Sequence, residues 1–537
     1  MIAGYSSSPI QDAMSACAAP TEAPRVVVLR PFMVMSRASY SAPVTPPIGP
    51  AYLSAVLEQA GYRVSMIDAV AEAIHQLRAS DCGRFNLQGL RVEEIVERIP
   101  EDAAILGVSL MFSQEWPMHR ELILAVRAKR PDLVIVVGGE HPSALPEFVL
   151  NDCPAVDHLV TGEGELPFLH LVHALYTGGD IGRIPGVWTR DADGVPVVSA
   201  RPERLASLAG LPRPAWHLIP VQAYFLDNWT MGIAMGRNMP VVATRGCPYR
   251  CAFCSSATMW TTRYVMRSPA EVVDEIEWLM REYGANSFDF LDLTAIVRKR
   301  WTLDFCDEIT RRGLDITWQL PSGTRSEALD AECLAALKRA GCRFLVYAPE
   351  SGSERTLKAI SKKISLENIE RSIRQAVALG ITVKINLIIG FPDETTQDVL
   401  ATLRFALRMA LAGVHDCNIS LFSCYPGSAI YRGLRERGMA PPPGDAYFHE
   451  LIAQFDMTQK TTTCAQVPGG VLAGVRMAGH ALFYGLAYLS RPGRILSLAA
   501  RLGKEGFRAS NLFEQRLSDM FARMRMRRSH KSKERHP

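Results

Sequence analysis

Three cysteines stand close together at Cys247, Cys251 and Cys254, in the run Ala243-Thr-Arg-Gly-Cys-Pro-Tyr-Arg-Cys-Ala-Phe-Cys-Ser255. Their spacing is C-x3-C-x2-C, and an aromatic residue, Phe253, precedes the third. Three thiolates on one tight loop can hold three irons of a cubane cluster and leave the fourth iron open to another ligand. A structural zinc site asks for four ligands, and no second C-x2-C or H-x3-H lies nearby to complete one. Disulfide frameworks belong to small secreted domains rather than to a chain of 537 residues. The apolar run Pro240-Val-Val-Ala243 predicts a short strand that ends at the loop.

This stretch closely resembles the signature of the radical S-adenosylmethionine (SAM) superfamily. The resemblance implies a 4Fe–4S cluster on Cys247, Cys251 and Cys254, whose open iron binds the amino and carboxylate groups of SAM and passes an electron into its sulfonium. Two further stretches carry the likeness. Tyr347-Ala-Pro-Glu-Ser-Gly352 resembles the family's G-x-E-S-G segment, which implies that Glu350, with Ser351 beside it, faces the ribose or amino group of SAM. A carboxylate suits a ligand that carries a sulfonium, an ammonium and two ribose hydroxyls; the alternative is a glutamate that caps the helix beginning near Glu354. Asn386-Leu-Ile-Ile-Gly-Phe-Pro-Asp-Glu394 resembles the segment that cradles adenine, implying SAM contacts at Gly390 and Pro392. Asp292 falls where the family often has paired carboxylates, and Phe253 completes the expected SAM set. Arg245, Tyr249, Arg267 and Tyr425 border these stretches as weaker candidates, and Cys424 is given no role.

These residues need a frame. From Val241 onward, strands and helices alternate every 30–40 residues or so, giving strands near 287–292, 316–320, 344–348, 382–389 and 417–422. Six parallel strands predict an open (β/α)6 partial barrel with its chemistry at the carboxyl rim. Upstream, Val26–Leu29, Arg63–Ile67, Ala104–Ser109, Leu133–Val137 and His158–Thr161 are near-continuous apolar strands spaced by helices. That pattern predicts an α/β, doubly wound, flavodoxin- or Rossmann-like parallel sheet whose ligand lies at the strand carboxyl ends. Ser109, Gly138, Gly139, Gly162 and Glu163 stand at those ends, and paired glycines let a bulky flat ligand approach the backbone. Together with Pro46-Pro-Ile-Gly49 they resemble the cobalamin-binding domain that precedes many radical SAM enzymes. The histidine-bearing D-x-H-x-x-G motif of many cobalamin proteins is absent, and His141 reads as a capping or packing residue, so no histidine of this domain is expected on cobalt.

The expected organisation is a disordered leader (1–24), a cobalamin-binding domain (25–180), a proline-containing linker (181–239), the partial barrel (240–432) and a helical accessory region with a basic, disordered tail (433–537). Hydrophobic residues make up 48% and charged residues 21% of the chain, an ordinary globular composition. A net charge of +4 gives no ground for a nucleic-acid partner. Twelve cysteines without a pairing pattern fit a reducing cytoplasm. The stretch Val471–Leu489 is broken by Arg476 and His480, short of a membrane span. The apolar, basic carboxyl terminus leaves peripheral contact at the inner membrane face open.

The resemblance implies an enzyme that methylates an unactivated carbon of a small molecule through a 5'-deoxyadenosyl radical and methylcobalamin, fed by an electron donor such as flavodoxin or ferredoxin. A lipid-like substrate or natural-product intermediate is the expectation. An oxidative cyclase or ring-rearranging enzyme, or a non-catalytic cobalamin or cluster sensor, are the alternatives.

Overall fold

The computed structural model describes residues 8–39, 43–227, 229–325, 328–452, 456–502 and 509–535. The first sheet is built on parallel strands β1 (Arg25–Arg30), β2 (Val64–Asp68), β3 (Ala103–Ser109), β4 (Val134–Gly138) and β5 (His158–Val160). An antiparallel hairpin, β6 (Val187–Arg190) and β7 (Pro196–Val198), extends it beside β5. The order across the sheet is β7-β6-β5-β4-β3-β1-β2. Its parallel part therefore follows the flavodoxin-like 2-1-3-4-5 winding, in which ligands meet the strand carboxyl ends at the switch point. Both faces of β1 are buried: Val27 and Leu29 enter one core, Val26 and Val28 another. That is why the strand reads as an unbroken apolar run.

The second sheet comprises six parallel strands in sequential order: β8 (Asn238–Val241), β9 (Ser287–Phe290), β10 (Thr317–Thr324), β11 (Cys342–Glu350), β12 (Thr382–Ile389) and β13 (Asp416–Leu421). On β12, Val383, Ile385, Leu387 and Ile389 are buried against helices that include Ile369, Ile373 and Phe405. The alternate residues Lys384, Asn386 and Ile388 are half-buried on the opposite, concave face.

An open barrel leaves β13 as a free edge, and the helix Gly469–Leu489 covers it. His480 Nε2 accepts the Ile419 amide at 3.2 Å, and the Tyr484 hydroxyl donates to Asp416 at 2.5 Å. Just beyond, Arg494 donates to the carbonyls of Gly413 (2.6 Å) and Val414 (3.1 Å). The amino-terminal end of the barrel is stoppered by Ile233 and Leu512, packed on Phe344 and Val346. No described helix is long and apolar enough to cross a membrane.

Three boundary expectations differ from the structure. Of the expected disordered leader, residues 1–7 lie outside the described residues, but Pro9–Ala16 form a helix. Ser8 and Gln11 make a capping box, and Ile10 and Met14 are buried against Val56, Leu57 and Tyr62. The expected linker contains β6 and β7, joined by a turn in which Gly194 and Val195 bond back to Asp191. A short hairpin among prolines carries too few apolar residues to stand out from a connector. The tail expected to be disordered from Arg523 continues the helix Leu512–Arg535, with Arg523 buried and its guanidinium 5.3 Å from the Trp229 ring centre.

His480 yields a pH prediction. Burial lowers its pKa, so it stays neutral in the fold, while the unfolded chain protonates near pH 6.5. Its contribution is therefore complete above about pH 6.5 and is lost as the pH falls. The wild-type advantage in melting temperature over His480→Gln should be largest at pH 7.5 and shrink by pH 5, measured by circular dichroism; an advantage independent of pH would count against a neutral acceptor role.

Candidate active site

The cysteine loop hangs between two short paired strands, Thr244–Arg245 and Val265–Met266, that continue from β8. Its entry is held by Asp292, whose carboxylate accepts the amides of Thr244 (2.5 Å) and Ala243 (3.2 Å) and the Thr244 hydroxyl (2.5 Å). Asp292 thereby fixes the backbone at the loop's entry. Burial pushes its pKa up to about 6 against those donors. The middle of the loop is pinned on both sides: the Ala252 amide donates to Ile360, and the Ile430 amide donates to Ala252, each at 2.9 Å.

None of the three cysteines is in a disulfide, and all are half-buried. Burial raises the thiol pKa of Cys251 and of Cys254, and bound metal would draw off those protons. A cubane takes each thiolate on a different iron, so three cysteines spaced along one loop can each ligate a separate iron.

Glu350 ends β11 with φ +66°, a left-handed conformation uncommon outside glycine, at a break in the register with β12. Such backbone persists only where the surroundings enforce it. Its carboxylate meets Lys362 Nζ at 2.9 Å, and both side chains are almost fully buried. Lys362, Arg325 and Glu350 all act electrostatically on Cys251, and the Arg325 guanidinium lies 3.5 Å from the centre of the Tyr249 ring. One carboxylate and two cations therefore surround the cysteine loop, matching the ammonium and carboxylate of the amino-acid part of SAM. Lys362 and Arg325 escaped the sequence reading because neither belongs to a local motif.

Phe253 packs on Phe391 (centroids 5.8 Å apart), and Phe391 on Phe422 (4.9 Å), forming an apolar wall from the cysteine loop to β13. Gly390 has φ +88° and lies against Leu472, and its amide donates to Glu394 at 2.6 Å. Glu394 also accepts from Phe391 and so closes the turn, with burial lifting its pKa to about 7; this shaping role was not read from the sequence. Pro392 is buried in the same turn, and its carbonyl accepts from Ala465. Ser351 is fully buried and bonded to Thr402 (2.9 Å) and the Ser353 amide (3.1 Å), so it braces the loop.

Across from this rim stand the carboxyl ends of the first sheet. Ser109 and Gly138 end β3 and β4 side by side. Gly139 has φ +120°, and a Cβ there would collide with the Leu110 carbonyl, so only glycine fits this bend. Ser143 links the two glycine turns, donating to Gly139 (2.7 Å) and accepting from Gly162 (3.0 Å). Met111 and Phe112 remain 42% and 52% exposed at this edge, apolar surface suited to a large flat ring. His141 is buried between Trp116 and Phe448 and bonded to Ser113, with burial lowering its pKa to about 3, which suits packing rather than a cobalt ligand.

Glu163, at the end of the first sheet, is bonded across to the second half of the chain. Its carboxylate receives Arg204 (2.7 Å), the Leu205 amide (2.9 Å) and Arg245 (3.3 Å), while Arg245 also meets Glu165 at 2.6 Å. Burial opposes the Arg245 charge, yet the two glutamates outweigh it and raise its pKa. The two halves also join through Glu140, next to Gly139, which accepts a hydrogen bond from Ser255, next to Cys254. The Tyr425 hydroxyl, from the barrel rim, donates to Gln114 at 3.1 Å. Neither Glu140 nor Gln114 carries a local signal in the sequence. The two carboxyl edges thus enclose one site with a cysteine loop, a zwitterion-matching charge set and a glycine-lined apolar edge.

A cluster-bearing barrel behind a flavodoxin-like ligand domain defines the class. Residues 241–406 match the model of the Radical SAM superfamily, and residues 38–172 match that of the B12 binding domain. The chain is 30% identical to an uncharacterized methyltransferase, PH0819, of Pyrococcus horikoshii, over 72% of this chain and 78% of that one. It is 29% identical to the cytidylyl-2-hydroxyethylphosphonate methyltransferase of Streptomyces wedmorensis, over 79% and 84%. The structure superposes on that of the radical SAM methyltransferase TsrM from Kitasatospora setae with a TM-score of 0.61 at 19% identity, covering 86% of this chain and 89% of that one. The chain belongs to the radical SAM superfamily, among those members that carry a B12-binding domain. It is an enzyme whose cofactors are a 4Fe–4S cluster, SAM and cobalamin.

Arg245→Met would leave Glu163 and Glu165 buried without their shared partner. Losing one member of a buried ion network costs roughly 3–5 kcal/mol. Urea unfolding should show a loss of that order, and amide exchange should rise in residues 162–165 and 246–256 together; exchange confined to one segment would show that Arg245 does not join the halves.

Proposed function

We propose that this chain is a cobalamin-dependent radical SAM methyltransferase that transfers a methyl group to an unactivated carbon of a small molecule. The observation that carries this reading is the bond between Glu140 and Ser255, which brings the Gly138–Gly139 turn against the cysteine loop. When bound, the cluster with SAM supplies one-electron hydrogen abstraction, and the cobalamin supplies the methyl group.

The chain's own residues provide placement. Cys247, Cys251 and Cys254 are the cluster ligands. Glu350 holds the SAM ammonium or ribose, Lys362 and Arg325 hold its carboxylate, and Phe253, Gly390 and Pro392 shape the wall against which it lies. Ser109, Gly138, Gly139 and Gly162 line the cobalamin edge, and Met111 and Phe112 keep that edge dry. Tyr425 and Gln114 stand between the two edges, where a substrate would meet them. The cytoplasm suits these unpaired thiols. An apolar substrate, lipid-like or a natural-product intermediate, fits the apolar edge. The exposed side chains Leu489, Ile495 and Leu496 support peripheral lipid contact; sedimentation with anionic liposomes that is unchanged by Leu489→Ser/Leu496→Ser would argue against it.

Anaerobic purification with hydroxocobalamin, followed by iron, sulfide and cobalt analysis, tests the assignment. Wild type should hold about four irons and one cobalt, and the Cys247/Cys251/Cys254 triple alanine variant should lose the iron and keep the cobalt. Iron without cobalt would sink the first-domain reading. Glu350→Gln should retain both metals but bind SAM roughly ten- to a hundredfold more weakly, as loss of a charge-assisted hydrogen bond requires. With methyl-labelled SAM, label should appear in product; a product formed without label would place the enzyme with ring-forming chemistry instead.

A further inference from the structure

The concave face of the barrel is polar on every strand except β11. Met239, Phe288, Trp318, Ile385 and Cys417 point outward into the helix-covered core, and the alternate residues turn inward: Asn238, Asp289, Gln319, Lys384, Asn386 and Asp416. A closed barrel fills its interior with branched apolar side chains. Polar residues in those positions need partners, because a buried donor or acceptor without one is costly.

On β8, β9 and β10 the stopper segment that carries Ile233 supplies them. Asp289 accepts the Thr230 hydroxyl (2.6 Å) and the Met231 amide (3.0 Å). Gln319 accepts from the Ile233 amide (2.9 Å) and donates to its carbonyl (3.0 Å). Asn238 donates to Thr230 (3.1 Å), although its Oδ1 has no donor. On β12 and β13 the partners are missing. Lys384 stands in register between Val346 and Asp416, half-buried, and makes no hydrogen bond or ion pair among the described residues. Burial, with Arg516 nearby, pushes its pKa down to about 7, so the fold does not compensate this ammonium. Asp416 uses Oδ1 for Tyr484 (2.5 Å) and Arg516 (3.2 Å), while its buried Oδ2 accepts nothing. Asn386, two residues further up β12, likewise keeps a buried Oδ1 without a donor. One cation and two acceptors are thus left open on adjacent strands.

We infer that the lower hollow along β12 and β13 is a substrate subsite that takes a carboxylate flanked by an amine or a hydroxyl. The inference deepens, and rests on, the reading above in which a small molecule meets SAM and cobalamin at the rim. Lys384 binds the carboxylate, and Asn386 and Asp416 accept from the neighbouring N–H or O–H. A carboxylate alone would leave both acceptors empty, and an amine alone would leave the lysine unpaired. The contacts proposed for SAM lie apart from this head site, since Gly390 is about 20 Å further along the chain at the usual strand rise. The substrate is therefore an extended amphiphile, its head held low in the barrel and its apolar body reaching the rim, where Met111 and Phe112 are exposed.

The test is calorimetric titration of the anaerobic holoenzyme, loaded with SAM, against 2-aminooctanoate, 2-hydroxyoctanoate, octanoate and octylamine. Wild type should bind the first two about tenfold or more tightly than octanoate, and should not bind octylamine. Lys384→Met should weaken the first two by at least about tenfold while SAM affinity, iron and cobalt match wild type. Asn386→Ala should narrow the preference for 2-hydroxyoctanoate over octanoate. Because Lys384→Met removes an unpaired ammonium, its melting temperature should equal or exceed that of wild type. A fall of several degrees would make the lysine a structural partner and overturn the subsite. Equal probe affinity in Lys384→Met would overturn it too, as would tightest binding of octylamine. Failure of every probe to bind wild type would do the same, leaving ordered water as the occupant. Absence of iron or cobalt from wild type would instead refute the cofactor reading beneath it.

Discussion

The buried guanidinium of Arg245, held between Glu163 and Glu165, constrains the rest of the structure. A charge removed from water is tolerated only when opposite charges and hydrogen bonds compensate it. Its compensation comes from a different domain, from the turn that follows β5. The cysteine loop starts one residue after Gly246, so its position is set by a contact that neither sheet could make alone. Arg204 joins the same glutamate and lies over Trp260, beyond the loop's far end. Separating the domains would expose or orphan several charges together, and the two carboxyl edges therefore face each other across a fixed gap. An apolar core shared by the first sheet and the barrel rim reinforces this, running from Val137 and Leu159 to Phe391, Phe422 and Phe448.

The accessory helices answer a problem that the half-barrel creates. Six strands cannot close, so one edge has unpaired backbone groups and the lower end is open. His480, Tyr484, Arg491 and Arg494 supply side-chain partners to that edge and to the turn before it. Leu512, with Ile233 from the segment before β8, seals the lower end. Glycine-rich apolar sequence in Gly469–Leu489 is thus explained by close packing on β13 and the helix Thr396–Ala412, with Gly479 tight against Ile419.

Much of the frame was legible because it repeats. Buried strands spaced by amphipathic helices announce themselves through period, and three cysteines on one loop announce themselves through spacing. What the sequence did not reveal was the set of protein partners that rim residues take. Asp292, Ser351 and Glu163 all stand at strand ends, but a short carboxylate or hydroxyl there can equally satisfy backbone, and each does so. Lys362, Arg325 and Glu140 show the converse. Each reaches the site from a loop or short helix through a contact that depends on tertiary placement, which leaves no trace in neighbouring residues. The helix at Pro9–Ala16 did have a local signal, Ser8 with Gln11, hidden within a serine- and alanine-rich composition.

The pair of Glu350 and Lys362 shows how such a site can bind a zwitterion without a large desolvation cost. Each of these charges is already out of water and already paired, at 2.9 Å. In the proposed site the ammonium of SAM would meet the glutamate and its carboxylate the lysine, so binding would replace one buried pair with two. Arg325, fixed over Tyr249, adds a further cation without having to be ordered at the time. The strained φ of Glu350 then has a purpose: an extended backbone would carry the carboxylate along the strand, whereas the left-handed turn directs it back toward Lys362 and the cysteine loop. The alanine and proline that precede Glu350, where the family resemblance has a glycine, leave this geometry intact, because the turn occurs at the glutamate itself.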